Sequence, residues 1–226
     1  MLKIAVLYPD LLGTYGDAGN GLVVAQRAER RGIDVSLTMV EMTDQIPEAD
    51  LYLLGGGEDG PQRLACELLA GQEFARRVAD GAYVVAVCAG LQLLGQSFSI
   101  EGDAVVPGLG IVDVTTRRGS SRSVGDLLVS VGDHLLVGFE NHGGVTMLGE
   151  GVEPLGALRL GRGNDGSVDG YCVDRIWATY AHGPVMALNP WFADTVLAAV
   201  LARPLEPLVT MADRLYAERC QTLLRG

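Results

Sequence analysis

Lysine is almost missing from this chain. Lys3 is the only one in 226 residues, and it lies inside the first expected strand. Neither a P-loop nor a Schiff-base site can be built without a free lysine amine, so this chain is not expected to bind ATP or to form an imine. Positive charge is scarce in general: 17 basic side chains face 28 acidic ones, for a net charge of −11. With no basic run, the chain offers nothing to attract nucleic acid or an anionic membrane. No apolar run approaches the roughly 20 residues of a membrane span, and the stretch from Met1 to Ile4 soon meets Pro9 and Asp10, too short for a signal peptide. A cytoplasmic protein without direct membrane insertion is expected. Cys66, Cys88, Cys172 and Cys220 are widely spaced and form no C-x-x-C pair, so zinc or any other metal is not expected, and the four should be thiols.

What is present suffices for a core. Hydrophobic residues make up 48% of the chain and charged ones only 20%, the balance of a folded α/β domain or of one domain with a tail. Strand-length apolar clusters at 4–8, 35–40, 51–54 and 83–87 alternate with helical stretches, which predicts a mostly parallel, doubly wound sheet with helices on both faces. Gly32 is placed to end the first helix. From about 103 to 180 the pattern changes to short strand candidates, at 104–106, 111–115, 127–131, 135–139 and 176–180, between Gly-rich turns. This part reads as a β-rich extension of the same sheet. Asn189 and Pro190 open a last helix whose apolar residues recur at helical spacing. The domain is expected to span 1–203, and Pro204 and Pro207 then separate a tail, 204–226, whose short helix at about 209–223 either packs on the domain or meets a partner.

The stretch Y-V-V-A-V-C-A-G-L-Q-L-L-G, 83–95, holds the first candidate for chemistry. Cys88 falls where a buried strand must turn sharply into a helix, with Ala86 and Gly90 small enough to let the backbones pass, a geometry that displays a nucleophile at the sheet edge. The alternative is a small buried hydrophobe. A cysteine at its ordinary pKa is only a few per cent thiolate at neutral pH, and a helix N-terminus supplies too little to change that, so a histidine must assist. His182, after the strand candidate 176–180 and before Gly183-Pro184, is the leading base. His142, in F-E-N-H-G-G, reads as structural or substrate-shaping, and His134 as a solvated hairpin residue. The turn Gly55-Gly56-Gly57 can aim a backbone N–H at an oxyanion jointly with that of Ala89. Glu58 and Asp59, two negative charges just after it, argue against a pyrophosphate site there.

A-V-C-A-G-L-Q, the preceding G-G-G and the later T-Y-A-H-G-P resemble the class I glutamine amidotransferases of the cobyric acid synthase-like branch, which have a flavodoxin-like fold. Y-G-D-A-G-N (15–20), G-F-E-N-H-G-G (138–144) and T-Y-A-H-G-P (179–184) narrow the resemblance to the glutaminase subunits of lipid II isoglutaminyl synthases. It covers residues 1 to 203. It implies Cys88 as nucleophile, His182 as base, Gly57 and Ala89 at the oxyanion, Gln92 near a bound L-glutamine and Arg122 on its α-carboxylate, with Asn141 and His142 as auxiliary residues. It further implies a heterodimer with a Mur ligase-like synthetase subunit, MurT, that carries the ATP and Mg²⁺ and amidates D-isoglutamate of lipid II. A different acceptor, such as a cobyrinate, or a DJ-1-like redox protein using the same cysteine, are the alternatives. The sequence departs from the wider class in one place: where H-x-E is usual, Pro184 follows His182 by two. Asp17, Glu140 or an acid from the partner chain are the candidates for the missing carboxylate, and an N-cap role is the alternative for Asp17.

Overall fold

The computed structural model describes residues 1–224 and contains two six-stranded sheets. In the first half of the chain β1 (Leu2–Leu7), α1 (Gly19–Glu29), β2 (Val35–Val40), β3 (Leu51–Leu54), α2 (Asp59–Ala70), α3 (Phe74–Ala79), β4 (Tyr83–Val87) and α4 (Ala89–Leu93) alternate. Strands β5 (Ser97–Ser99), β6 (Val105–Pro107), β7 (Val114–Val131), β8 (His134–Leu148), β9 (Gly156–Leu160), β10 (Val168–Asp169), β11 (Tyr171–Val173) and β12 (Ile176–Thr179) follow, and then α5 (Val185–Leu188), α6 (Pro190–Val200) and α7 (Met211–Leu223).

The first sheet has the order β11-β12-β4-β3-β1-β2, parallel throughout except for β11 at its edge. Its central strands β3 and β4 are apolar without alternation, as strands covered on both faces must be. The order places the ends of β1, β3, β4 and β12 side by side, and ligands of open parallel sheets bind at such carboxyl ends.

The second sheet corrects the expectation of a β-rich extension. Strands β10-β9-β7-β5-β6, with β8 paired to β7, form a sheet of their own, antiparallel apart from the β5–β7 pair. The end of the short candidate at 111–115 and all of that at 127–131 belong to one long strand, β7, whose register against β8 shifts between Arg118 and Ser123. Polar residues through this bulge obscure the strand period, which is why the sequence pattern broke it into pieces. The two sheets meet where His182, just past β12, bridges Phe139 of β8.

Partly buried ionic contacts lock α6. The Arg27 guanidinium donates to both Asp194 carboxylate oxygens at 2.7 and 2.6 Å, and Arg31 adds bonds at 3.1 and 2.8 Å, so α1 is tied to α6. Burial would raise the Asp194 carboxyl, but the two arginines more than offset it and hold it below the usual range. Asn189 precedes α6 as expected, yet its amide does no capping. It brackets Val137 of β8 through the N–H and the carbonyl.

The tail folds back on the chain. Helix α7 opens with a capping box between Thr210 and Asp213, and Cys220 and Tyr216 pack against Leu128 and Val137 of the hairpin. The Tyr216 hydroxyl donates to the Leu135 carbonyl at 2.8 Å, and Arg219 pairs with Asp126.

Candidate active site

The nucleophile position is built by steric demand. Cys88 follows β4 at φ 51°, ψ −102°, outside the regions an L-residue ordinarily occupies, which costs on the order of 1–3 kcal/mol. Its own N–H donates to the Thr179 carbonyl of β12 at 2.9 Å, and Tyr171 reaches from β11 to the Leu91 carbonyl at 2.8 Å, so neighbouring strands hold the turn. Gly90 is required because a Cβ there would stand 2.7 Å from the Leu54 Cβ and 3.0 Å from the Leu54 carbonyl oxygen. Cys66 is buried on α2 and Cys220 on α7, whereas Cys88 lines a cavity of about 340 Å³.

Burial pushes the Cys88 thiol up to about 12, and the Asp17 charge adds to this, against the opposing pull of the Ala89 N–H and of Arg122. Cys88 therefore rests as a thiol and needs a base to become a nucleophile.

The candidate base stands at the end of the adjacent strand. His182 is fully buried, and the Tyr15 and Phe139 rings pack on it with centroids at 4.4 and 5.4 Å. Its Nδ1 lies 2.8 Å from Asp17 Oδ2. The carboxylate can only accept, so Nδ1 carries the proton and Nε2 the lone pair of the neutral ring. Nε2 is buried and makes no hydrogen bond among the described residues.

Asp17 is thus the carboxylate that meets His182. The absence of a carboxylate two residues after His182 does not leave the imidazole without an acidic partner within this chain. Asp17 is not the N-cap of α1 either, since Ala18 occupies that place. The same Oδ2 accepts the Gly56 N–H at 3.0 Å, which fixes the carboxylate from its other side. Gly56 must lack a side chain, since a Cβ would stand 2.4 Å from His182 Cε1.

Glu140, the other acid considered for His182, supports His142 instead. Its carboxylate accepts from His142 Nε2 at 3.2 Å and from the Arg162 and Gly163 N–H groups at 2.8 and 2.9 Å. Burial would raise the Glu140 carboxyl, and these bonds more than reverse it, holding the group below the usual range. His142 stacks on Tyr180 at 3.8 Å with an interplanar angle of 16° and lines the cavity, in keeping with a shaping role. His134 is no bare turn residue: its ring lies 4.6 Å from that of Trp191, nearly parallel.

Gly57, Gln92, Arg122 and Asn141 line the same cavity as Cys88. The Gly56 N–H is engaged by Asp17, whereas the Gly57 N–H, like that of Gly55, has no acceptor among the described residues and is free to meet an oxyanion. The Ala89 N–H, the other candidate donor, is directed at the Cys88 sulfur. Arg122 projects from the β7 bulge, where Asn141 Oδ1 accepts its Nε–H at 2.6 Å. Gln92 is held at both ends of its amide, accepting from Gln62 at 2.9 Å and donating to the Tyr180 hydroxyl at 3.2 Å.

An acid-supported histidine beside a strained cysteine, both at the carboxyl edge of a parallel sheet, is the equipment of amide hydrolysis. Residues 3–190 match the CobB/CobQ-like glutamine amidotransferase domain. The chain belongs to this family. It is 33% identical over 216 residues to the lipid II isoglutaminyl synthase (glutamine-hydrolyzing) subunit GatD of Staphylococcus aureus, covering 91% of this chain and 88% of that one. The GatD subunit of Streptococcus pneumoniae is 31% identical, with 89% and 81% covered. The fold is also that of a solved glutamine amidotransferase, at TM-score 0.59 and 18% identity over 88% of this chain and 98% of the other.

Sequence reasoning missed the role of Tyr15, which joins Glu58, Arg122 and the His182 ring. The signal was present in Y-G-D-A-G-N, whose first residue proves as much a part of the amidotransferase site as its Asp. Gln62 and Tyr180 were also missed. One sits in an unremarkable helix and the other reads as strand core, and only packing shows that they clamp Gln92. Among the described residues, no group of three or more His, Cys, Asp or Glu side chains could hold a metal ion. Nor is any helix among them long and apolar enough to cross a membrane.

Proposed function

We propose that this chain is the glutamine-hydrolysing subunit of a two-chain lipid II isoglutaminyl synthase. The observation that carries the reading is the Asp17–His182 pair at the end of β12, with its buried lone pair at Nε2, next to the strained Cys88 at the end of β4. As glutamine binds, Nε2 takes the thiol proton and Sγ attacks the side-chain carboxamide carbon. The Gly57 and Ala89 N–H groups receive the charge on its oxygen. The C–N bond then breaks, His182 returns its proton to the leaving ammonia, and Asp17 stabilises the imidazolium between the two transfers. Water, deprotonated by the same nitrogen, cleaves the thioester to glutamate and restores the thiol.

Ammonia passes to a Mur ligase-like synthetase that holds ATP and Mg²⁺ and amidates D-isoglutamate of lipid II at the cytoplasmic face of its pathway. The two relatives named for this reaction support the acceptor, and the lack of a P-loop lysine here agrees with nucleotide on another chain.

The test is a glutamine-like diazo-ketone followed by peptide mapping, with glutamate release measured in parallel. Label on Cys88, sparing Cys66, Cys172 and Cys220, and loss of glutamate release in Cys88→Ala are expected. Label chiefly on another cysteine overturns the assignment. Co-purification of a synthetase that amidates a cobyrinate in place of lipid II would keep the glutaminase and replace the acceptor.

A further inference from the structure

The cavity beside Cys88 carries a pair of opposite charges that hydrolysis itself does not use. Arg122 Nη2 lies 3.6 Å from Glu58 Oε1, and both residues line the cavity wall. The Tyr15 hydroxyl stands between them, donating to Glu58 Oε1 at 3.1 Å and accepting from Arg122 Nη2 at 3.1 Å. The bridge fixes the spacing of carboxylate and guanidinium. Glu58 Oε2 makes no hydrogen bond or ion pair among the described residues.

We infer that Glu58 is the acceptor for the α-ammonium group of the substrate, completing with Arg122 a clamp for the amino-acid zwitterion. This assignment rests on the glutaminase reading above and adds to it the determinant that distinguishes glutamine from other primary amides. One ion pair on the wall is exchanged for two with the substrate: the α-carboxylate takes the guanidinium and the α-ammonium takes Oε2. The clamp and its ligand each sum to zero charge, so the exchange leaves no charge unpaired in the cavity. Position supports the choice of pair. The cavity has a second one, Asp59 with Arg118 at 3.6 Å, but there the carboxylate also accepts the Glu101 N–H at 2.6 Å. Glu58 and Arg122 are instead joined through Tyr15, whose ring packs 4.4 Å from that of His182. The clamp is therefore the pair tied to the reacting groups.

The test compares L-glutamine with glutaramate, which has the same length, carboxamide and carboxylate but no ammonium group. Turnover of both is measured for the full-length protein, alone and with its co-expressed synthetase, in the wild type, Glu58→Gln and Glu58→Asp, with thermal unfolding to confirm each fold. The ratio of kcat/KM for glutamine over glutaramate should favour glutamine at least tenfold in the wild type. It should fall tenfold or more in Glu58→Gln and return in part in Glu58→Asp. An unchanged ratio in both variants overturns the role of Glu58 while leaving the glutaminase intact. A wild type that hydrolyses neither amide, with Cys88 unlabelled by the diazo-ketone, overturns the glutaminase reading and the clamp with it.

Discussion

The two sheets divide the work of this molecule differently. The parallel sheet supplies Asp17, Cys88 and His182 from the loops after β1, β4 and β12, all of them buried. The antiparallel sheet supplies Arg122, Asn141 and His142 from a long hairpin, and the Arg122 side chain remains about half exposed at 49%. A proton relay needs fixed distances and a dry setting, which a doubly covered sheet provides. A recognition group must meet a solvated charged ligand and exchange partners with it, which an exposed bulge permits. The strained backbone at Cys88 and the irregular register before Ser123 are the counterparts of this division, one holding a nucleophile and the other offering a guanidinium.

Removing the acid tests the rigid half most severely. Asp17→Asn keeps the shape but stabilises the wrong imidazole tautomer, and the same change in a serine protease costs about 10⁴ in kcat. A loss of roughly 10² to 10⁴ in glutamate release, with KM little changed, is the expected result from steady-state kinetics. Retention of full activity would show that the working acid lies on another chain, and the comparison between the sheets would have to include that chain.

The recognition half should respond in KM. A charge-assisted contact to a carboxylate is worth roughly 1.5–3 kcal/mol, so Arg122→Ala should raise the glutamine KM about tenfold or more while sparing most of kcat. A change confined to kcat would move Arg122 from recognition to chemistry and erase the distinction.

A further effect arises where the halves adjoin. Asp169 of β10 is fully buried and accepts from the Thr179 hydroxyl and the Tyr180 N–H, just before His182. Burial raises its carboxyl to about 6, despite those bonds. The folded state thus prefers the protonated acid. Its stabilising contribution is full below pH 4, the range of an unfolded aspartate, and is lost as pH rises towards 6. Thermal unfolding should show Asp169→Asn gaining on the wild type between pH 4 and pH 7, by on the order of 2 kcal/mol. A constant difference across that range would mean that Asp169 stays charged throughout.

The smallest effect belongs to the tail. Arg219 pairs with Asp126 at the surface, so Arg219→Ala should cost about 0.2–1 kcal/mol and leave glutamate release unchanged. A larger loss would show that α7 carries more of the hairpin's stability than its buried contacts suggest.

Much of this was legible in the chain itself. The alternating strands and helices of the first hundred residues, the small residues flanking Cys88 and the histidine at a strand end pointed to the parallel sheet and to Cys88 and His182 as its candidate residues, because each depends on local pattern and steric room. The second sheet was not legible, since a bulge full of polar residues hides the period of β7 and a sheet is defined by pairing that sequence order does not display. The identity of the acid was decided by tertiary structure alone. Asp17 and His182 are 165 residues apart, and two carboxylates, Asp17 and Glu140, stood in equally suggestive motifs. The loop after β1 reaches past the ends of β3 and β4 to that of β12, the Gly56 N–H held the carboxylate in place, and Glu140 was held instead against His142, with two backbone N–H groups on its carboxylate. Local sequence sets which groups a segment can offer, but a hydrogen bond between distant segments forms only where the packed sheets bring donor and acceptor within about 3 Å.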